Sequence, residues 1–392
     1  MPLAEMPRTG AGRSLNKAAH AAFVPIGIVT VLLGPLLPIL SARWSLNYLQ
    51  AGSLFTAQFL GSTVGVLLSG LIVSRLGFRF AINAGLLAMA VGVGTLPFSV
   101  RSLGLVCIFC YGTGLGLAIP AINLFVGAVN PERRSAALSL LNFSWSVGAV
   151  ACPFLVASAA KVDKIQLFLV ALGGFLLLVL LGIAVVSSSF VEPTMVRTEE
   201  RPEASPVHWS RRSLVVLAAL FFLYVGAENA FGGWIASYSK SLETVPSALP
   251  VMTPSFFYAA LMLGRWMAPL VLRKTEEIKT ARAGLSLACV GMAALVLSRT
   301  LPLVVASVSL AGLGLAAIYP ITISRLSQEF GPAAARVGSL MFTMANFGGA
   351  SLPWLVGYSS QRFHELRVGL AVPLVATILM YALYRKNPIS VA

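Results

Sequence analysis

The sequence contains few charged residues, and this shortage excludes an ordinary soluble domain. Only 10% of its 392 residues are Asp, Glu, Lys or Arg, whereas 57% are hydrophobic. A soluble domain has about 25% charged and about 45–50% apolar residues. The chain therefore cannot surround a core with a charged, water-facing shell, and its composition indicates an integral membrane protein.

Residue types that usually carry catalysis or bind metals are also scarce. There are three dispersed histidines, and all four cysteines lie inside apolar runs. Cys107 and Cys110 have a spacing found in redox or metal sites, but no second pair accompanies them. We favour a packing role for these thiols over a redox or metal role. No phosphate-binding loop is present, so we expect that ATP does not drive this protein directly. Because no enzyme signature is found, we predict a protein that is not an enzyme and uses no cofactor or metal.

Uncharged runs of about 20 residues recur along the chain, and this is the length of a helix that spans a bilayer. Backbone groups in hydrocarbon must be hydrogen-bonded within the span, so we expect helices. The runs are continuously apolar rather than alternating, which argues against a membrane β-barrel. Twelve runs lie near residues 19–40, 51–73, 80–99, 102–128, 135–159, 165–188, 213–238, 252–272, 280–298, 302–324, 337–358 and 367–384.

The 28 Lys and Arg residues give a net charge of +15 and are distributed unevenly between alternate loops. Nineteen lie on the side of the N-terminus and eight on the opposite side. Because basic loops remain in the cytoplasm, we predict a multi-pass protein of the cell's inner membrane with both termini cytoplasmic. We attribute the basic excess to this topology and to contact with anionic lipid headgroups, and we predict no nucleic-acid partner.

One polar stretch, from Ser187 to Arg212, divides the runs into two sets of six. It contains prolines and acidic residues without helical periodicity, as expected of a cytoplasmic linker. We therefore predict an N-terminal six-helix bundle over residues 1–188, a linker over 189–212 and a C-terminal six-helix bundle over 213–392.

The two halves repeat each other at an offset of 200 residues, most clearly in the fourth, fifth, tenth and eleventh runs. The matching pairs include Gly112 with Gly312, Gly114 with Gly314, Pro120 with Pro320, Gly148 with Gly348 and Pro153 with Pro353. Glycine lets helices approach each other and proline bends them, so packing or gating roles are expected. Two parallel six-helix halves are the organisation of secondary transporters with a solute site between the halves.

The loop after the second run carries a motif. The motif matches the pattern of the major facilitator superfamily at Gly70, Arg75, Gly77 and Arg79, although Ser74 stands where the pattern has an aspartate. The chain resembles this superfamily over nearly its whole length. The resemblance implies two bundles related by a pseudo-two-fold axis and a loop that helps to latch the cytoplasmic face. The arginines could equally be simple positive-inside anchors.

The seventh and eighth runs carry a second resemblance. Residues 224–234 read Tyr-Val-Gly-Ala-Glu-Asn-Ala-Phe-Gly-Gly-Trp, and residues 256–265 form an aromatic stretch that ends in Gly-Arg. Both are similar to segments of the fucose permease group of sugar:proton symporters. That group has carboxylates in its first and fourth helices, whereas the first and fourth runs of this chain contain none.

Glu228 is the only one of the 13 acidic residues well inside a run, and Arg265 is the only basic residue placed so deeply. Burying a carboxylate at mid-membrane costs about 2.5–3.5 kcal/mol on insertion scales. A protonated carboxyl group avoids this cost, which suits a proton-coupling site. Alternatively, Glu228 and Arg265 form an ion pair with a structural role, and both interpretations remain open.

A hydroxyl-rich solute calls for amides and aromatic rings along its path. The predicted solute-binding residues are Gln58, Asn123, Asn142, Trp145, Asn229, Trp234, Tyr258, Tyr319 and Asn346. Each could instead bridge two helices or lie at the membrane interface. The residues assigned to structure or gating are Gly70, Arg75, Gly77, Arg79, Pro120, Pro153, Arg265, Pro320 and Pro353.

These features together predict a monomeric secondary transporter that works by alternating access and imports a neutral, sugar-like small solute together with protons. A facilitator or exporter of amphipathic compounds is one alternative. A ligand sensor built on a transporter scaffold is another. The lack of carboxylates in the first and fourth runs slightly favours a sensor, whereas the lack of a recognisable cytoplasmic signalling domain counts against it.

Overall fold

The computed structural model describes residues 10–130, 133–187, 211–243, 247–331 and 334–386. These residues are α-helical apart from short turns, some of them of 3₁₀ type. The predicted linker lies outside them except for its last two residues, which begin a helix at Arg211. The domain boundaries at 188 and 213 therefore stay predictions.

Fourteen α-helices follow one another in the described chain. Before the linker they are α1 (Gly10–Val31), α2 (Leu33–Arg43), α3 (Tyr48–Thr95), α4 (Arg101–Val129), α5 (Arg134–Lys161) and α6 (Ile165–Ser187). After it they are α7 (Arg211–Ser241), α8 (Leu249–Leu272), α9 (Glu277–Leu297), α10 (Leu301–Leu315), α11 (Ile318–Phe330), α12 (Ala334–Phe363), α13 (Leu366–Gly369) and α14 (Ala371–Lys386).

These helices provide twelve membrane passes. Nine described segments are individually long and apolar enough to span a bilayer, and the bent pair α1–α2 makes ten. One of the nine contains α3, whose 48 residues would extend for about 70 Å, more than twice a hydrocarbon thickness of about 30 Å. α3 therefore supplies two passes. The 30-residue α12, in the eleventh predicted run, supplies the remaining pass, and the predicted twelve-helix fold is confirmed.

The two passes of α3 are joined at Gly77, whose backbone has φ 86° and ψ 171°. This region of backbone conformation is essentially closed to any residue with a Cβ atom. Glycine at this position therefore lets the chain turn between the second and third passes.

The first pass is broken between α1 and α2, which are inclined at 42° to each other. Pro35 lies one turn after the break and has no backbone N–H, so it cannot donate to the carbonyl of Val31. The bend lies near the middle of the pass, where it leaves backbone carbonyls of α1 without helical donors.

The four prolines predicted to bend helices occupy two kinds of position. Pro320 follows the break between α10 and α11, where it removes one helical hydrogen bond. The other three lie inside the continuous helices α4, α5 and α12, namely Pro120, Pro153 and Pro353.

The sequence repeat reappears as equivalent helix contacts. A Cβ atom on Gly148 would lie 2.0 Å from the carbonyl oxygen of Val24, and one on Gly348 would lie 2.0 Å from that of Phe222. Such distances are possible only for glycine. α5 therefore approaches α1 as α12 approaches α7, which is the pseudo-two-fold relationship expected from the sequence.

The two halves are in close contact towards one end of the molecule, which we call the far face. The far face lies opposite the first residue of α1, and α2 and α12 end there. Between the break of the first pass and the far face, a Cβ atom on Gly34 of α2 would lie 3.1 Å from the carbonyl oxygen of Gly232 of α7, so the two halves are in close backbone contact there. Nearby, the backbone N–H of Tyr48 donates to Oε1 of Gln361 at 3.2 Å. These contacts close the far face.

Arg325 departs from the sequence expectation. The run count places it in a loop after the tenth run, but it lies inside α11 and is only 7% exposed. Its Cζ atom lies 4.6 Å from the ring centroid of Tyr384. This cation–π contact offsets part of the cost of burying the guanidinium. Arg265 is therefore not the only arginine inside a membrane-spanning segment.

Candidate functional site

Glu228 lies in the middle of α7, and 12% of its side chain is exposed. Arg265 on the neighbouring α8 places Nη2 3.5 Å from Oε1 of Glu228 and 3.3 Å from the hydroxyl oxygen of Tyr224. Tyr224 and Glu228 are four residues apart and share one face of α7. Because 3.5 Å is long for a charge-assisted hydrogen bond, the carboxylate and guanidinium form a loose ion pair rather than a bidentate one.

Arg265 also reaches the other half of the molecule. Its Cζ atom lies 5.7 Å from the ring centroid of Trp145 on α5, within the range of a cation–π contact. Nε1 of Trp145 in turn donates to Oγ1 of Thr30 on α1 at 3.2 Å. Contacts therefore run from Glu228 to Thr30 across the boundary between the halves.

Thr30 joins four helices of the first half. Its carbonyl oxygen, next to the break between α1 and α2, accepts a hydrogen bond from Nε2 of Gln58 on α3 at 3.1 Å. The hydroxyl of the fully buried Tyr111 on α4 donates to Oε1 of Gln58 at 3.2 Å. Gln58 thus donates a hydrogen bond to a backbone carbonyl that has no helical donor because of the break, and this hydrogen bond stabilises the break.

A small cavity lies where this network meets the second half. Its volume is about 10 Å³, enough for about one water molecule. Three predicted solute-binding residues line it: Gln58, Asn229 and Tyr258. The remaining lining residues are Thr30, Val31, Leu33, Gly34, Phe55 and Gly233.

The predicted asparagines use their amides in a common way. Nδ2 of Asn123, Asn142 and Asn229 donates to the carbonyl oxygen four residues earlier in the same helix, at 2.8–2.9 Å. Each amide oxygen is thereby turned away from its helix backbone. Asn346 differs, because its Oδ1 accepts a hydrogen bond from Ser62 Oγ of the other half at 3.4 Å.

Two predicted aromatic residues lie in other surroundings. Trp234 is 1% exposed, and its Nε1 donates to the carbonyl oxygen of Pro353 at 3.0 Å, so it belongs to the interior of α7 and α12. The ring of Tyr319 packs against that of Tyr224 with centroids 5.5 Å apart and an interplanar angle of 31°. Tyr319 therefore supports the tyrosine that contacts Arg265.

The residues of the loop motif lie away from this centre, at the turn of α3. Arg75 is exposed and Arg79 half-buried, and a Cβ atom on Gly70 would meet nothing within 4 Å. The hydroxyl of Ser74, in place of the family aspartate, donates to its own helix at the carbonyl of Leu71.

Sequence reasoning missed Thr30 and Tyr224 as site residues. Thr30 is the only polar side chain between residues 21 and 40, and a Gly-Pro pair follows it four residues later. A lone polar residue shortly before a proline could have marked Thr30 as a site residue. Tyr224 was visible within the seventh-run motif, but its contact with Arg265 depends on how α7 and α8 are rotated.

Known proteins of similar sequence and structure are transporters. The chain is 23% identical over 350 residues to the glucose/mannose transporter GlcP of Bacillus subtilis, which covers 87% of this chain and 86% of that protein. It is 22% identical over 411 residues to the sodium-dependent glucose transporter 1A of Mus musculus, covering 93% and 94%. The crystal structure of the E. coli fucose:proton symporter FucP superposes with a TM-score of 0.64 at 17% identity, covering 96% of this chain and 98% of that one.

The family match extends over residues 20–387. It includes the twelve passes, the broken first pass, the Gly77 turn and the cluster of contacts between the halves. With this match, the family resemblance inferred from the sequence is confirmed, and the chain belongs to the Major Facilitator Superfamily of membrane transporters.

Proposed function

We propose that this protein is a secondary carrier that imports a neutral, sugar-like solute together with protons by alternating access. The observation that carries the proposal is the loose Glu228–Arg265 pair, which touches Trp145 of the opposite half. One acid and one base give the centre no net charge, which suits a neutral solute. The names of the similar glucose transporters support this solute class.

Proton coupling would act through the charge of Glu228. An ionised carboxylate attracts Arg265, whereas a protonated one releases it to other partners. Because Arg265 also contacts Trp145, a proton on Glu228 would change a contact between the moving halves. Desolvation holds back a bare anion at mid-membrane and favours movement of the neutral form.

Alternating access would begin here from a state closed at the far face. The contact of Gly34 with Gly232, and the Tyr48–Gln361 hydrogen bond nearer that end, close the path from the site to the far face. We infer that the site is then reached from the opposite, cytoplasmic face, in a monomer of the inner membrane with both termini in the cytoplasm. The bundles 1–188 and 213–392 would rock against each other, joined by the linker.

A sodium-coupled carrier is the second candidate. Glu228 already has a counter-ion at 3.5 Å, which weakens it as a proton carrier, and one similar protein is named a sodium-dependent glucose transporter. A facilitator and a ligand sensor differ from both candidates because neither accumulates solute.

Uptake into proteoliposomes separates these possibilities. The purified protein would be tested with labelled glucose, mannose, galactose and fucose under a pH gradient, a sodium gradient or no gradient. We expect accumulation under the pH gradient, abolished by a protonophore. Accumulation under the sodium gradient alone would indicate sodium coupling instead of proton coupling. Binding without uptake would indicate a sensor.

A further inference from the structure

Arg265 offers one nitrogen to two oxygens of the same neighbouring helix. Its Nη2 lies 3.3 Å from the hydroxyl oxygen of Tyr224 and 3.5 Å from Oε1 of Glu228. Charge-assisted N–H···O hydrogen bonds are usually about 2.7–2.9 Å long. The nitrogen is therefore held between two acceptors that lie one turn apart on α7, and it is bound closely by neither.

The two acceptors differ in whether their charge can change. A proton from water can neutralise the carboxylate of Glu228, whereas the hydroxyl of Tyr224 is ordinarily neutral and a guanidinium is ordinarily charged throughout the physiological range. The other titratable side chains of the described helices that face Glu228 are Tyr258 of α8 and Tyr319 of α11. Tyrosines are ordinarily neutral as well, so a change of charge among these groups falls on Glu228.

The hydroxyl of Tyr224 has a fixed position. Its side chain is fully buried, and its ring packs against that of Tyr319 with centroids 5.5 Å apart. Arg265, by contrast, has a long side chain that is 22% exposed. When Glu228 becomes neutral, the Coulomb attraction on the guanidinium disappears, and the tyrosine oxygen at 3.3 Å is the nearer acceptor.

We propose that Tyr224 is a positioning residue for proton coupling, whose hydroxyl retains the guanidinium of Arg265 at α7 when a proton neutralises Glu228. The inference rests on the proposed function. In the ionised state the guanidinium is shared between the two oxygens. In the protonated state it donates to Tyr224, which alters its position against the ring of Trp145, 5.7 Å from its Cζ atom, without releasing it into water.

Removal of the hydroxyl favours ionised Glu228 for two reasons. Without Tyr224 as a competitor, Nη2 can approach the carboxylate from 3.5 Å to an ordinary hydrogen-bond distance, which strengthens the ion pair. The protonated state also loses the acceptor that retains Arg265. One effect opposes these two, because the hydroxyl of Tyr224 also interacts with the carboxylate of Glu228. Since all three effects involve interactions of similar strength, the two outweigh the one.

The pH dependence of uptake tests this assignment. Proteoliposomes with equal pH on both sides and an inside-negative membrane potential would be supplied with labelled glucose, and initial rates would be measured over a range of pH. For Tyr224→Phe we expect the pH of half-maximal uptake to fall by about one unit, the size given by a shortening of the ion pair from 3.5 Å to about 2.8 Å at an effective dielectric constant of about 20. A side chain that only packed would leave this pH unchanged.

Two further variants control this measurement. Tyr358→Phe removes a hydroxyl from an exposed tyrosine of α12 and should leave the pH profile unchanged. Tyr319→Leu keeps the hydroxyl of Tyr224 but removes the ring packed against it, so it should shift the half-maximal pH in the same direction by a smaller amount. Tyr319→Leu tests the assignment if Tyr224→Phe is unstable.

A second measurement follows Arg265 directly and needs no transport. Phenylglyoxal modifies accessible guanidinium groups, and modification of Arg265 would be read by peptide mass spectrometry. Glu228→Gln leaves the guanidinium with neutral acceptors and so represents the protonated state. In this background we expect Tyr224→Phe to speed the modification by about two- to tenfold, as for one lost hydrogen bond, and by less than about twofold when Glu228 is present and ionised.

Other outcomes overturn the assignment. An unchanged half-maximal pH with normal uptake, or a shift to higher pH, would mean that Tyr224 does not retain Arg265. Equal modification rates with and without the hydroxyl in the Glu228→Gln background would mean the same. If uptake by the wild type does not depend on pH, the proposed proton coupling fails, and the modification rates still decide whether Tyr224 holds the arginine.

Discussion

Gly357 of α12 lies against the backbone of Tyr48, where a Cβ atom would stand 2.4 Å from the Tyr48 carbonyl oxygen. The two residues belong to opposite halves and lie near the far face. A neighbouring carbonyl cannot move aside as a flexible side chain can. Close contact at this end of the molecule therefore requires that Gly357 have no side chain.

We expect Gly357→Ala to hinder closure of the far face and to reduce transport by tenfold or more, on the order of a 1.4 kcal/mol penalty on the closed state. Thr56→Cys would report the change in a cysteine-free background, because the Thr56 hydroxyl bonds to Ala350 of the other half at 3.0 Å. A membrane-impermeant maleimide added from the far side should label this cysteine faster in the alanine variant.

Gly338→Ala in the same helix is the matched control, since its Cβ would make only ordinary contacts beyond 3.6 Å. Its transport and labelling should match the parent protein. Unchanged labelling in Gly357→Ala, with normal transport, would show that the far face closes by some other contact.

A second prediction concerns the turn between the passes of α3. Gly77→Ala should lower stability by about 1–3 kcal/mol, because its φ of 86° is strained for any residue with a Cβ atom. Gly70→Ala, in open space on the same helix, should be neutral or stabilising by up to about 1 kcal/mol. Thermal unfolding in detergent, followed by circular dichroism, would compare the two. Equal melting temperatures would contradict the structural assignment of Gly77.

The helical passes and the repeat could be read from the sequence because they depend on local properties. Run length and the absence of charge indicate a span, and the register of Gly148 with Gly348 encodes a close helix contact in each half. The break in the first pass also has a local cause, since it follows from Pro35. It was not predicted because the run of apolar residues continues through it.

The contacts of the site could not be read in the same way. Whether Arg265 meets Glu228, Tyr224 or Trp145 depends on the tilt and rotation of three helices, which hydropathy does not specify. Arg325 was misplaced for a related reason, because a charge at the edge of an apolar run looks like a loop. Its aromatic partner, Tyr384, lies 59 positions further along the chain.

A third prediction tests the network at the break of the first pass. Thr30→Val keeps the shape of the side chain but removes the acceptor of Trp145 Nε1. An indole N–H left without a partner costs about 1–3 kcal/mol, and the ring loses its fixed orientation. We expect lower thermal stability and weaker solute binding. Thr30→Ser, which keeps the hydroxyl, should retain both, and equal behaviour of the two variants would contradict the role of this hydrogen bond.

The last prediction concerns Glu228. Glu228→Gln keeps the size of the side chain and much of its hydrogen bonding but fixes the group in an uncharged state. If Glu228 carries the coupled proton, accumulation driven by a pH gradient should disappear. Exchange of labelled for unlabelled solute at equal pH should persist, because exchange needs no change in protonation.

A purely structural Glu228 gives a different pattern. The glutamine variant would then leave Arg265 buried without its counter-charge, and expression, stability and exchange would fall together. Removing both charges with Glu228→Gln/Arg265→Met should restore folding in that case. If the double variant also regains gradient-driven accumulation, Glu228 is not the proton site.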